Sequence, residues 1–119
     1  MPLQERIDLL YVPQVVNAGQ SLASQAAPLK GFLLVGILTP PTLSAPVLTF
    51  AVGLDPTTPY DFYRVDGSLV QATSGPARQI LIVPEDFAGV VYVRLRAGTP
   101  QLPAPPSQPT EATFILRPI

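Results

Sequence analysis

The chain has 119 residues, with seven basic and eight acidic side chains and a net charge of −1. It contains no cysteine and no histidine, which excludes disulfides, thiolate chemistry, serine–histidine triads and the commonest transition-metal ligands. No run of charge of either sign is present, so the electrostatic footprint of a nucleic-acid-binding protein is missing.

The sparse charge indicates an assembly subunit. Charged residues make up 13% of the chain, against about 25% in typical soluble domains. With so few charges to cover the surface, part of that surface should be apolar, and extended apolar patches mark contacts with other proteins. We therefore expect a homo-oligomer, a dimer or trimer, rather than a free monomer.

Residues 1–30 are predicted to form an N-terminal strand and an extended arm. Ile7, Leu9 and Tyr11 alternate with their neighbours, which predicts a first strand, and residues 17–30 are small and polar. This region is a candidate for strand addition to a neighbouring subunit. Glu5, Arg6 and Asp8 precede any apolar run, which is unlike a signal peptide. The apolar run 31–38 is shorter than the roughly 20 residues of a membrane helix, so no membrane association is expected.

Residues 31–119 are predicted to form a β-sandwich domain. Strand-like runs of period two are separated by turns, among them DPTTP (55–59) and the hairpin signal Asp66-Gly67. Leu48, Phe50, Val52 and Leu54 are expected to point inward. The predicted strands are 31–38, 48–54, 60–65, 68–73, 78–83, 90–97 and 111–118. With the N-terminal strand this makes about eight strands and no convincing helix, which predicts an all-β fold, an antiparallel, jelly-roll-like β-sandwich.

The segment VVYVRLRA (90–97) carries the clearest alternation in the chain. Val91, Val93 and Leu95 are predicted to face the core, and Arg94 and Arg96 to face outward. An arginine fork can hold a carboxylate or phosphate. The alternatives are an ordinary solvated strand face or the rim of a subunit contact.

No catalytic residue, cofactor site or metal site is predicted, and the chain is not expected to be an enzyme. Five carboxylates could form an acid–base pair or a calcium site: Asp55, Asp61, Asp66, Glu85 and Asp86. Asp55 and Asp66 occupy turns, where aspartate is common for backbone reasons, and Glu85 and Asp86 follow Pro84 at a corner. Tyr60, Phe62 and Tyr63 could stack on a sugar, although the alternation of a strand places at least one of them in the core.

The segment TPQLPAPPSQPT (99–110) has five prolines in twelve residues and lies between two predicted strands. Such a loop is held at both ends and loses less freedom on binding, so it is a candidate contact element. The predicted interface comprises Ile7, Leu9, Tyr11, Leu102, Pro103, Pro105, Pro106, Arg94 and Arg96.

Four stretches between residues 31 and 119 carry a family resemblance: LTFAVGLD, YDFYRVDGSLV, RQILIVPEDFAGVVYVRLRAG and the closing TFILRP. In this order they resemble a group of small jelly-roll virion proteins of tailed phages and prophages. Residues 1–30 lie outside the resemblance, and the proline-rich loop departs from it. The strand YVRLR is also similar to the aromatic and basic strand of discoidin-like, carbohydrate-binding jelly rolls.

The resemblance implies a non-enzymatic virion protein on the capsid surface, made in the host cytoplasm. Its role would be that of a decoration or cement protein that stabilises the assembled head. The implied partners are the major capsid protein and further copies of the chain, with no nucleic acid. A glycan-binding module, on a tail fibre or discoidin-like, and a neck or tail adaptor are the alternatives.

Overall fold

The computed structural model describes residues 8–119, which form two antiparallel β-sheets packed face to face. The first sheet has the order β1-β9-β3-β7 and contains β1 (Leu10–Val16), β3 (Phe32–Leu38), β7 (Gln79–Leu81) and β9 (Thr110–Pro118). The second has the order β2-β8-β4-β5 and contains β2 (Ala27–Pro28), β4 (Val47–Gly53), β5 (Tyr60–Asp61), β6 (Gln71–Thr73) and β8 (Tyr92–Ala97).

Strands β5 and β6 share one position in the second sheet. Both pair with β4, on the edge opposite β8, and the hairpin 62–70 separates them. Counted this way the sandwich has eight strand positions, and the chain crosses between the sheets in the order of a jelly roll. The prediction of an antiparallel, jelly-roll-like sandwich with about eight strands is confirmed.

The core lies between the sheets and is centred on three phenylalanines. Phe50 and Phe87 meet edge to face with ring centroids 5.1 Å apart, and Phe114 lies 6.3 Å from Phe50. Phe87 comes from a short 3-10 helix (Pro84–Phe87) at the predicted corner. Val93 and Leu95 of β8 are fully buried in the same cluster, which confirms their inward direction. Val91, also predicted to face the core, is only half-buried and lies outside the cluster, because β8 begins at Tyr92.

Several predicted boundaries are wrong. The predicted strand 60–65 is limited to Tyr60–Asp61 and the predicted strand 68–73 to Gln71–Thr73, because the hairpin 62–70 between them leaves β4. Leu54, expected to point inward, is exposed because β4 ends at Gly53 and the chain turns away. The first strand begins at Leu10 and continues to Val16, so its inward residues are Val12, Gln14 and Val16. Pro13 interrupts the pattern, yet it is tolerated because β1 is an edge strand and pairs only with β9.

The arm, residues 17–30, runs beside β8 and forms hydrogen bonds with it. Ala23 N donates to Leu95 O and Leu29 N donates to Val91 O, both at 2.8 Å. Ser24 N donates instead to Val15 O of β1 at 2.9 Å. The arm therefore contacts both sheets and closes the sandwich along this edge. Within residues 8–119 no helix is long and apolar enough to cross a membrane.

Candidate interaction surfaces

The outward side of the first sheet is largely uncharged, and one row of it is apolar across all four strands. Tyr11, Ile115, Gly36 and Leu81 are neighbours in one row across β1, β9, β3 and β7. The next row is Pro13, Thr113, Leu38 and Gln79, one residue from each strand in the same order. We call these two rows, with the flanking residues on the same side, the outer sheet face.

Charge is nearly absent from the outer sheet face. Among the residues of its four strands only Glu111 and Arg117 are charged, and both lie on β9. Leu81 is 82% exposed, and Tyr11 and Leu38 are also exposed. A solvated antiparallel sheet normally turns polar residues outward. An apolar outward face therefore indicates a surface that contacts another protein.

The middle of the outer sheet face is flat. A methyl group added at Gly36 would lie 3.3 Å from Cδ1 of Ile115, so the Ile115 side chain lies over the glycine and is itself buried. Gly36 and Ile115 line none of five surface cavities formed by residues 8–119. A flat apolar surface suits a protein partner better than a small molecule.

A second candidate surface is the loop end, which we define as residues 99–103 of the proline-rich segment. Thr99 N donates to Leu102 O at 3.1 Å, and Leu102 N donates to Oγ1 of Thr99 at 3.0 Å. Ala104 N then donates to Ala97 O at 2.9 Å. These bonds hold a tight turn that leaves Leu102 77% exposed.

Of the three prolines predicted to lie at the interface, two are exposed and one is buried. Pro103 and Pro105 are exposed, whereas Pro106 is buried. The carbonyl of Pro106 accepts a hydrogen bond from Gly19 N at 3.0 Å. Pro106 therefore anchors the segment and does not extend the exposed surface. Tyr11 is an exposed member of the outer sheet face, Leu9 is exposed just before β1, and Ile7 lies outside the described residues.

Arg94 and Arg96 make contacts within the domain. The side chain of Arg96 is 12% exposed, and its Nη2 lies 2.9 Å from Oδ1 of Asp61. Arg94 donates to the carbonyls of Pro56 and Ala23. The two arginines thus connect β8 to the turn 55–59, to β5 and to the arm. They are not freely solvated, and a contact with a partner subunit stays a prediction.

A cleft of about 510 Å³ opens between the end of β4 and the 3-10 helix. Tyr60 and Phe62 form one wall, and Asp86 supplies its carboxylate. Both oxygens of Asp86 accept hydrogen bonds from Arg64, at 3.2 and 2.8 Å. Tyr63 and the two strand arginines do not line the cleft, so the aromatic and basic side chains expected of a glycan site are dispersed.

The turn carboxylates have structural partners. Oδ1 of Asp55 accepts hydrogen bonds from the backbone N of Thr57 and of Thr58, and the bonds from Thr57 lower the pKa of Asp55. Oδ1 of Asp66 accepts from the hydroxyl and backbone N of Ser68, which lower its pKa. Within residues 8–119 no group of three or more potential metal ligands comes together.

These lowered pKa values predict a dependence of stability on acid. A carboxyl group whose folded pKa lies below its unfolded value stabilises the fold above the unfolded pKa of about 4, and this contribution is lost as the pH falls through the folded pKa. We expect the Asp55→Asn and Asp66→Asn double variant to lose less thermal stability on acidification than the parent. Melting temperatures by circular dichroism across acidic pH will measure this. Parallel curves for the two proteins would contradict it.

Comparison with known proteins gives one similarity of fold. No protein-family model matches the chain, and no curated protein matches it at a significant level. The crystal structure of the SPBc2 prophage-derived protein YomS is similar, with a TM-score of 0.56 and 9% identity. The alignment covers 98% of this chain and 99% of YomS. The chain therefore shares its fold, over nearly its whole length, with a protein of prophage origin.

Sequence reasoning found only part of the outer sheet face. It selected Leu9 and Tyr11 but missed Leu38, Leu81 and Ile115. One signal was present: the closing segment TFILRP and the run FLLVGIL are apolar at consecutive positions, so both faces of those strands carry apolar residues. Consecutive apolar residues are also typical of a strand buried on both faces, and only strand pairing shows that the four strands share one open side.

Proposed function

We propose that this chain is a non-enzymatic structural protein of a tailed-phage virion. Its most specific role would be that of a decoration protein that binds the major capsid protein at the surface of the assembled head. The observation that supports a subunit of an assembly is the outer sheet face, a nearly uncharged surface to which all four strands of one sheet contribute. The shared fold with a prophage-derived protein supports the same setting.

The physical mechanism is the burial of apolar surface across contacts between subunits. Transfer of apolar surface out of water contributes about 25 cal/mol for each Å² buried, before the costs of association. Repetition over many identical sites adds avidity. A shell covered in this way resists dissociation because neighbouring capsid subunits must separate from the bound protein as well as from one another.

The loop end is the proposed contact with the shell. Its turn is already held by hydrogen bonds between Thr99 and Leu102, so little conformational freedom remains to be lost on binding. Leu102 presents an exposed apolar side chain at the tip. This leaves the outer sheet face, on the other sheet, available for a separate partner.

Particle composition tests the proposal directly. Quantitative mass spectrometry of purified particles from the strain that encodes the chain should find it in many copies, in a fixed ratio to the major capsid protein. A few copies per particle would contradict a decoration role. A count of about six or twelve would instead indicate a ring-shaped neck or tail adaptor.

The loop end can be tested by one substitution. Leu102→Asp is expected to reduce binding to particles that lack the chain by at least tenfold, because it places a charge in an apolar contact. Leu54→Asp is the matched control, since Leu54 is 82% exposed on a different turn. Cosedimentation with particles measures both variants. Equal binding of the two would exclude the loop end as the shell contact.

Glycan binding is a second candidate function, which the exposed Tyr60 at the cleft beside β4 favours although Tyr63, Arg94 and Arg96 lie outside the cleft. Tyr60 is largely exposed on one wall, where its ring could stack on a sugar while Asp86 accepts a hydroxyl hydrogen bond. A glycan array with the intact chain tests this candidate. Binding that Tyr60→Ala abolishes and Tyr63→Ala preserves would support it, and silence of the array would remove it.

A further inference from the structure

We infer that two copies of this chain pack through their outer sheet faces, with the β9 strands of the two copies crossing in opposite directions. The inference rests on the proposed function in one respect, that the outer sheet face is a protein contact. It goes further by naming the partner as a second copy and by specifying the arrangement.

The two charges on the outer sheet face carry the inference. Glu111 lies near the start of β9 and Arg117 near its end, and both are exposed. Side chains alternate between the two faces of β9, and Ala112, Phe114 and Leu116 fill the core. Glu111 and Arg117 therefore lie on the outward side, with Thr113 and Ile115. Within residues 8–119 neither charge makes an ion pair.

A twofold axis that lies in the interface and runs across the strands makes these charges complementary. Such an axis reverses the strand direction and keeps the strand order, so β9 lies over β9 of the other copy. Positions 111 and 117 are equally distant from position 114. When the axis passes over position 114, Glu111 of each copy therefore lies opposite Arg117 of the other. The contact is isologous, and it closes with two copies.

The alternative axis, parallel to the strands, does not pair the charges. It places β9 over β3 of the other copy, where Leu33 and Leu38 face outward near the positions of Arg117 and Glu111. Each charge would then be covered by apolar side chains without a partner, which is strongly unfavourable. Charge complementarity therefore selects the arrangement with reversed strands.

The size of the face fits a weak dimer. Three strands of seven to nine residues and the three-residue β7, about 4.8 Å apart with about 3.4 Å for each residue, give roughly 400 Å² in each copy and about 800 Å² in all. This lies below the range of about 1,200–2,000 Å² for stable interfaces. We therefore expect a dissociation constant of about micromolar or weaker for the isolated chain.

Sedimentation equilibrium of the intact chain over a wide concentration range tests the contact. The parent should approach a dimer, and Leu81→Asp should weaken association by at least tenfold. Leu54→Asp is the matched control, because Leu54 and Leu81 are both 82% exposed and Leu54 follows the end of β4 in the other sheet. A parent that stays monomeric, a trimer, or a Leu81→Asp variant that associates like the parent would each overturn the inference.

Charge reversal tests the strand direction. Glu111→Arg and Arg117→Glu should each weaken dimerisation several-fold, since each brings like charges together. The double variant restores both pairs and should associate like the parent. Failure of the double variant to recover would overturn the reversed arrangement. Because these experiments use the isolated chain, their failure is distinguishable from a low copy number on particles, which would overturn only the proposed function.

Discussion

Gly98→Ala should destabilise the protein by about 3–4 kcal/mol, a large loss for a domain of this size. Gly98 adopts a φ of +88°, and a methyl group added there would lie 2.5 Å from Ala104 N and from Leu102 O. Both atoms belong to the backbone of the proline-rich segment as it returns along β8. The loop would have to move away, and the hydrogen bond from Ala104 N to Ala97 O would be lost.

Gly67→Ala provides the control for backbone strain. Gly67 has the same φ of +88°, but no atom lies within 4 Å of an added methyl group. Its substitution should cost only the left-handed conformation, about 1–2 kcal/mol. Urea unfolding monitored by circular dichroism measures both losses. Equal losses would show that the loop does not approach Gly98 closely, and would remove the structural basis of the loop end.

Gln14→Leu should destabilise the protein by about 1–3 kcal/mol although it replaces a polar side chain in the core with an apolar one of similar size. Gln14 is 1% exposed. Its Oε1 accepts a hydrogen bond from Leu95 N at 2.9 Å, and its Nε2 donates to Gln25 O at 3.2 Å. Leucine would leave the buried Leu95 N–H without a partner, which carries the full desolvation cost.

Two further variants separate this effect from general packing. Gln71→Leu changes an exposed strand glutamine and should alter stability by less than about 0.5 kcal/mol. Gln14→Glu should lose less stability, relative to the parent at the same pH, at acidic than at neutral pH, because the protonated carboxyl group can replace both amide contacts and the buried carboxylate cannot. Urea unfolding at the two pH values measures this. A Gln14→Leu protein as stable as the parent would contradict the role of the amide.

Gly98 and Gln14 both support the proposed contact surfaces. Gly98 allows the proline-rich segment to lie against β8, which positions Leu102 at the loop end. The arm bonds to β8 through Ala23 N and then turns to β1 through Ser24 N, so it offers no carbonyl to Leu95 N. Gln14 Oε1 accepts the hydrogen bond from Leu95 N instead. Loss of either residue should therefore weaken assembly as well as stability.

Much of the fold could be predicted from alternation and turn residues. The segment containing Val93 and Leu95 has a strict period of two, and the turn at Asp66-Gly67 is confirmed by the positive φ of Gly67. The end of the strand that begins at Tyr60 was harder to predict. The aromatic residues of the hairpin 62–70 favour a longer strand, whereas only Tyr60–Asp61 pairs with β4. Gln14 could not be predicted, because its role depends on Leu95, which is 81 residues away in the chain.

The roles of the arginines also depended on tertiary contacts. Their alternation with Val93 and Leu95 correctly placed Arg94 and Arg96 on the outward side of β8. Their partners, Pro56, Ala23 and Asp61, lie in segments far away in sequence. A strand pattern reports which side a residue faces, but it does not report which loop covers that side.

The sequence by itself determined that this protein is an all-β sandwich with few charges and without cysteine or histidine. These properties follow from composition and local periodicity, which act over a few residues. Only the tertiary structure decided where the apolar surface lies. Tyr11, Gly36, Leu81 and Ile115 form one row because strands from both ends of the chain pair in a single sheet, and that pairing depends on long-range hydrogen bonds that no local pattern encodes.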